Sequence, residues 1–454
     1  MGSKRDDKPP ALILCGGRGD RMKPYQDQRH KCLVAVDDGI PLYRRHVELL
    51  AKYGFRVHAN VPTRWQDAFA DVARGIGVKV QLWPEDGAPH GAGTSFLRFA
   101  ASEPLAHALV SVCGDAWYDE EWYRQARRCI DSARIGTRDR AWVMAASLRD
   151  EPFCPGTLTA NPENGYLGIV TINEDPIRTQ DVPPPRLYSA GMIVYEQGFV
   201  HVMIKGLGKR LAKSVGVDLM HDAIPAALNA GARAYACAEF WRDHNLPAPP
   251  VWDVGSPSRY ARYCVWEYER RSGLRLGSGA ATAIETILRA GRVICAGNGG
   301  AAAVASHAVI DWQKQGMRDC HALLDVVVLT AWANDHGYAG AFGRQVRNAR
   351  LMPADALVLF SGSGKSENVV EAAKVARSLG IKPTVIGVTC DARGADLPLA
   401  RECDVVVRLP YPAPRGSSWT YGPIEDAMSG FVHATACAMN GLSPWKSCMA
   451  EGRE

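Results

Sequence analysis

The chain is predicted to fold as two α/β units in tandem, and three observations predict this. Short apolar runs alternate with amphipathic stretches; the alternation breaks between Ala248 and Gly273 and then restarts; and each half opens on an apolar run followed by a glycine-rich loop. The first loop is Leu14-Cys15-Gly16-Gly17-Arg18-Gly19-Asp20-Arg21-Met22, after Ala11-Leu12-Ile13-Leu14. The second is Gly297-Asn298-Gly299-Gly300-Ala301, after Arg292-Val293-Ile294-Cys295. A strand, a glycine turn and a helix N-terminus aim backbone N–H groups and the positive helix end at an anion, so both loops read as phosphate binders.

In the first half, residues 11–14, 56–59, 78–81, 108–112 and 142–146 are expected strands, because apolar and β-branched residues cluster there. Residues 42–53 and 95–101 read as helices between them, and three prolines at 183–185 as a rigid extended connection. In the second half, 292–295, 357–360, 383–387 and 404–407 read as strands, with helices at 280–290 and 369–379. The expected division is a disordered N-terminus at 1–10, a first domain at 11–262 and a second at 263–454.

A chain of 454 residues is too long for one ordinary domain. Its 47% hydrophobic and 22% charged residues describe a globular protein, and no apolar run is long enough to span a membrane. The N-terminus Met1-Gly2-Ser3-Lys4-Arg5-Asp6-Asp7 is not followed by the apolar stretch of a secretory signal. The net charge of +5 is spread out, which argues against nucleic acid as a partner and suits anionic substrates. The 13 cysteines are odd in number and form no C-x-x-C pair, so free thiols in a reducing cytoplasm are expected.

Around the first loop, Arg21 and Lys31 are cations suited to a triphosphate. Asp115 ends the run Val112-Cys113-Gly114-Asp115, where open α/β sheets bind ligands, and Asp253 lies in Val251-Trp252-Asp253-Val254-Gly255. Two carboxylates at separate strand ends suffice for one Mg²⁺, whose other ligands are water and phosphate oxygens. Taken singly, a glycine turn is often only a turn and a lone Gly-Asp only a strand terminator.

The ordered set Gly16 to Met22, His30-Lys31-Cys32-Leu33-Val34, Gly91-Ala92-Gly93-Thr94, Gly114-Asp115, Tyr188-Ser189-Ala190-Gly191 and Trp252 to Pro257 resembles the signature of sugar-1-phosphate nucleotidylyltransferases, of the heptose-1-phosphate guanylyltransferase kind. The resemblance covers about residues 10–260. It implies a Rossmann-like, GT-A-like fold and attack of a sugar-1-phosphate, here heptose 1-phosphate, on the α-phosphorus of an NTP. GTP is weakly preferred. It further implies that Gly16, Gly17 and Gly19 cradle the nucleotide, with Arg21 on the triphosphate and Lys31 on the reacting phosphates. Asp115 and Asp253 would ligate Mg²⁺, Gly91 and Ala92 would admit the base or sugar, and Gly191 would face the sugar. Asp20 stands where that family has Thr or Ser. The family's Glu-Lys-Pro is absent, so Arg178 or Arg186 is the candidate for its sugar-phosphate lysine.

Around the second loop, His307 and Asp311 are four apart on an expected helix, which is metal-ligand spacing, and Glu425 and His433 are two helical turns apart. Two imidazoles and two carboxylates suit Zn²⁺ or a similar ion, although a lone histidine is more often a satisfied one. Phe360-Ser361-Gly362-Ser363-Gly364-Lys365-Ser366-Glu367-Asn368 lies between strand and helix and suits a phosphate monoester.

These residues, with Ala333-Asn334-Asp335-His336-Gly337-Tyr338 and Phe342-Gly343-Arg344-Gln345, resemble phosphoheptose isomerase, within the sugar isomerase (SIS) fold, over about residues 275–442. The resemblance implies an α/β/α sandwich that converts sedoheptulose 7-phosphate to a D-glycero-heptose 7-phosphate through an enediol. Asp311 would be the base and His433 the acid, with His307, Asp311, Glu425 and His433 holding the metal. Ser361, Ser363 and Ser366 would bind the phosphate, while Asn298, Gly299, Asp335 and Gln345 would meet the substrate. Asp311 replaces a family glutamate, Glu425 a glutamine and Lys365 a small polar residue. A homo-oligomer, dimer or tetramer, follows from sites that the family shares between subunits.

Together the resemblances imply a bifunctional enzyme of nucleotide-activated heptose synthesis, with a separate kinase and phosphatase supplying the intermediate steps. The alternative is that one half is a degenerate sugar-phosphate-binding module that regulates the other.

Overall fold

The apolar run before the first glycine loop forms the strand Pro10–Leu14, buried along its whole length. Buried on both faces, such a strand belongs in the middle of a sheet. It pairs in parallel with Arg56–Pro62 on one side and Ala108–Cys113 on the other. Gln81–Glu85 extends the parallel part beyond Arg56–Pro62. On the other side, Leu187–Glu196 pairs antiparallel with both Ala108–Cys113 and Arg140–Ser147, and the sheet reaches nine strands. The first unit is therefore a mixed sheet.

The computed structural model describes residues 8–17, 19–37, 39–85, 92–102, 108–132, 139–147, 153–154, 157–163, 166–173, 177–178, 187–212, 216–237, 250–316, 319–380, 382–390, 397–412 and 418–442. Most of the segment expected to be disordered, and the prolines at 183–185, lie outside the described residues. Pro10 is already in the strand. The strand expected at 78–81 begins only at Gln81, because the register with Arg56–Pro62 starts at the pair His58 and Gln81.

The second unit is a five-stranded, all-parallel sheet in the order Asp319–Ala322, Arg292–Gly297, Ala356–Phe360, Thr384–Cys390, Val405–Leu409. This is a doubly wound order. Its switch point lies between Arg292–Gly297 and Ala356–Phe360, whose carboxyl ends lead into the second glycine loop and the serine loop. The same rule applies to the first sheet: Pro10–Leu14 and Ala108–Cys113 run side by side and lead into the first glycine loop and Gly114-Asp115. In both units chain order alone places a ligand site.

The two units share one helix and one core. Ser256 caps the helix Pro257–Ser272 by accepting from the backbone N–H of Arg259, Pro257 sits in its first turn, and Gly273 ends it at φ 72°. This bridging helix runs unbroken across the expected boundary at 262/263. Its buried Tyr260 and Tyr263 join a single apolar cluster with Met22, Tyr25 and Val34 from the first half and Ile284, Ile287 and Met428 from the second. Each such fully buried side chain contributes about 1.5–3 kcal/mol. Polar links reinforce the seam. Arg29 Nη1 donates to the Gly441 carbonyl at 3.1 Å, Tyr260 Oη to the Ala35 carbonyl at 2.5 Å, and the Tyr25 hydroxyl to the Leu288 carbonyl.

Candidate active sites

In the first unit, the glycine loop leaves the strand at Leu14, with Gly17 and Gly19 in the left-handed region at φ 102° and 70°. Cys15 N donates to the Asn60 side chain at 2.9 Å, which ties the loop to the neighbouring strand. Asp115 is reached through Gly114, whose N–H donates to the Leu14 carbonyl at 3.0 Å. A methyl group at Gly114 would stand 2.7 Å from that carbonyl, so the two strand ends approach this closely only with glycine there.

Lys31 Nζ bonds Asp115 Oδ2 at 2.8 Å, and Arg21 lies 3.7 Å from the same oxygen. Burial alone would push the Asp115 carboxyl up, but Lys31 and then Arg21 hold it down at about 2. Burial works against the Lys31 ammonium, and Asp115 more than offsets it, so its pKa is raised. Asp253 sits at the end of Val251–Asp253, which pairs with Ala116–Tyr118 just beyond Asp115. Burial, and then the Asp115 charge, raise its pKa, which the Arg259 ion pair opposes. Gly255 lies between the two acids: its N–H donates to Asp253 Oδ1 at 2.8 Å, and any Cβ there would collide with Asp115.

These two carboxylates converge on one point, and oxygen donors of that kind fit a hard cation such as Mg²⁺. Arg259, in the first turn of the bridging helix, was not singled out from the sequence. Gly191 stands at φ 76° beside Cys113, and Ala92 opens the helix Ala92–Ser102. Gly91 and Arg186 lie outside the described residues, as does the side chain of Arg178.

In the second unit, His307 and Asp311 stand on the helix Gly300–Gly316, and His433 on the terminal helix Ser418–Leu442. His307 Nε2 and His433 Nε2 are 2.9 Å apart, and Asp311 Oδ2 lies 3.3 Å from the first and 3.9 Å from the second. All three ligand atoms fall within 4.8 Å of one another. Two imidazoles and a carboxylate leave coordination positions open, the donor set of a catalytic rather than a closed structural zinc site. Glu425 is not in this group. Its carboxylate lies against Gly300, at the first turn of the helix Gly300–Gly316, where the positive helix end favours it.

Beside this group a cavity of about 290 Å³ is lined by Asn298, Gly299, Ser306, Leu324 and Tyr338, among others. Asn298 and Asn368 bond reciprocally, Nδ2 to Oδ1, at 2.7 and 2.9 Å, and Tyr338 Oη donates to Asn298 Oδ1 at 3.0 Å. Asn368 follows the serine loop, so this pair clips the two loops together across the switch point. The sequence pattern assigns Asn368 no role. Ser361 Oγ lies 3.3 Å from Ser366 Oγ, and Ser363 Oγ accepts from Lys365 N at 3.3 Å. Asp335 is exposed at the end of the helix Val326–His336, and buried Gln345 gives its amide to the Leu323 carbonyl at 3.4 Å. Neither lines the cavity.

Known proteins resemble each half. Residues 11–163 match the MobA-like NTP transferase domain, and residues 267–390 match the SIS domain. The phosphoheptose isomerase of Rhodospirillum rubrum is 37% identical over 138 residues, 29% of this chain and 70% of that protein. That of Aneurinibacillus thermoaerophilus is 33% identical over 144 residues, 30% of this chain and 70% of that protein. Among solved structures, phosphoheptose isomerase from Neisseria gonorrhoeae covers 40% of this chain and 93% of its own at 30% identity and a TM-score of 0.32. An inositol-1-phosphate CTP transferase from T. maritima covers 56% and 91% at 15% identity and a TM-score of 0.43. Residues 11–163 thus match a nucleotidyltransferase domain, and through its second half the chain belongs to the phosphoheptose isomerase family.

Proposed function

We propose that the chain is a bifunctional enzyme of nucleotide-activated heptose synthesis. The C-terminal half isomerises sedoheptulose 7-phosphate to a D-glycero-heptose 7-phosphate. The N-terminal half transfers NMP from an NTP, with GTP weakly preferred, to heptose 1-phosphate and releases pyrophosphate. The observation that carries this is the pairing of a phosphate loop with a cation-binding group at each sheet's switch point.

In the N-terminal half, Gly16, Gly17 and Gly19 leave the loop backbone open to the triphosphate, with Arg21 beside it. Lys31 neutralises the reacting phosphates as a sugar-phosphate oxygen forms its bond to the α-phosphorus and the bond to pyrophosphate breaks. Positioning and charge neutralisation supply the rate, without a covalent intermediate. Mg²⁺ on Asp115 and Asp253 would add positive charge at those phosphates. Arg259 and Lys31 keep these acids balanced before it binds.

In the C-terminal half, the serine loop takes the phosphate monoester and Asn298 orients the sugar. Asp311 accepts the proton from C1 as the C2 oxygen takes one, forming the enediol. Return of a proton to C2 with loss of the O1 proton completes the aldose, and His433 serves as the acid only while its Nε2 is off the cation. Asp311 Oδ2 faces the imidazoles, which leaves its other oxygen for the proton. Zn²⁺ or a similar ion on His307, Asp311 and His433 would polarise the substrate oxygen. Glu425 reaches that set only by leaving Gly300.

A separate kinase and phosphatase handle the intermediate steps. A cytoplasmic location is part of this proposal; no helix among the described residues is long and apolar enough to cross a membrane. The helix Val326–His336 buries no residue and carries Val326 and Val327 at 69% and 72% exposure, which supports a homo-oligomer that covers it.

Pyrophosphate release measured over each NTP with each sugar 1-phosphate tests the first half: turnover with heptose 1-phosphate supports it, and none with any NTP leaves that half a binding module. For the second half, an Asp311→Asn protein that still isomerised sedoheptulose 7-phosphate normally would falsify the base assignment.

A further inference from the structure

His433 is held from both sides of its ring. Nε2 faces His307 Nε2 at 2.9 Å, while Nδ1 faces Tyr268 Oη at 3.2 Å. Tyr268 comes from the bridging helix, 165 positions away in sequence. Its ring also lies against the imidazole, with centroids 6.2 Å apart. Gly430, one turn before His433, leaves room for it: a methyl there would come within 3.1 Å of Tyr268 Cε1. The hydroxyl is thus fixed by packing as well as by its hydrogen bond.

We propose that Tyr268 is the positioning residue of the C-terminal metal site, holding Nδ1 of His433 so that Nε2 is presented to a divalent cation with His307 and Asp311. This rests on reading those three residues as a metal set. A histidine has two ring nitrogens, and the one that takes the metal is decided by the hydrogen bond the other makes. A tyrosine hydroxyl can donate or accept. In the metal-free ring it donates to bare Nδ1, leaving the proton on Nε2 for His307. When a cation displaces that proton, Nδ1 carries the hydrogen and the hydroxyl accepts it. The ring keeps one orientation and stays neutral in both states.

The test uses the full chain with Zn²⁺ alone, its affinity read by competition with a chromophoric chelator. Tyr268→Phe keeps the ring and removes only the hydroxyl. It is expected to bind Zn²⁺ roughly 10–100-fold more weakly, as loss of an outer-shell partner does. Excess Zn²⁺ should restore isomerisation towards the wild-type kcat, while melting temperature and pyrophosphate release stay unchanged. Affinity within twofold of wild type overturns the proposal. So does a joint loss of melting temperature and pyrophosphate release, which would make Tyr268 structural only. A wild-type protein that takes up no Zn²⁺ overturns the metal set and the Tyr268 assignment together.

Discussion

Lys31 and Asp115 make the N-terminal site electrically self-contained before any substrate arrives. The ion pair is 2.8 Å long and both side chains are about 15% exposed, so little water screens it. Replacing Lys31 by Met leaves a buried carboxylate whose nearby cation, among the described residues, is the more distant Arg21. Pyrophosphate release is expected to fall roughly 10²–10³-fold in kcat, the cost of losing one preorganised cation or donor, with isomerase activity unchanged. A steady-state assay of both reactions on the variant decides this, and equal losses in the two would refute it. Gly255→Ala tests the same acids from the backbone side. The new methyl meets flexible carboxylate ends, so transfer activity should fall far more than melting temperature.

At the scale of elements, what the sequence made legible follows range. The spacing of His307 and Asp311 was readable because one helix sets it. The spacing of Glu425 and His433 was equally local, yet only His433 reaches the group, since eight residues along a helix put two side chains on one face at different heights. The links Lys31–Asp115, Asn298–Asn368 and Tyr268–His433 cross 84, 70 and 165 positions. No periodicity encodes such partners. The strand at Gln81–Glu85 was misplaced by three residues, because register with a neighbour, and not local composition, decides where a strand begins. The bridging helix carries its own signals, Ser256-Pro257 at its start and Gly273 at its end. Ser256→Ala should cost about 1 kcal/mol, read by chemical denaturation.

At the scale of the whole molecule, the shared core makes the two halves one folding unit. Calorimetry should record a single transition, and two resolved peaks would contradict the shared core. Acid should weaken the fold. Burial, with Arg45 alongside, lowers the pKa of His46 from 6.5 to about 3, and burial lowers His58 to about 4. Between those values and 6.5 the unfolded chain binds protons that the folded chain refuses. Stability is therefore full above pH 6.5 and lost as pH falls through that window. The urea midpoint should drop between pH 7.5 and pH 5, and His46→Asn, which keeps a polar atom towards Tyr123, should flatten the slope.

A protease meets the unbroken bridging helix differently from an ordinary interdomain linker. Nicking needs an extended, exposed backbone, and from 257 to 272 the chain offers helical hydrogen bonds and buried tyrosines instead. Limited digestion should yield no fragment ending inside those residues. A cut that parted the two activities would then have to fall outside that helix.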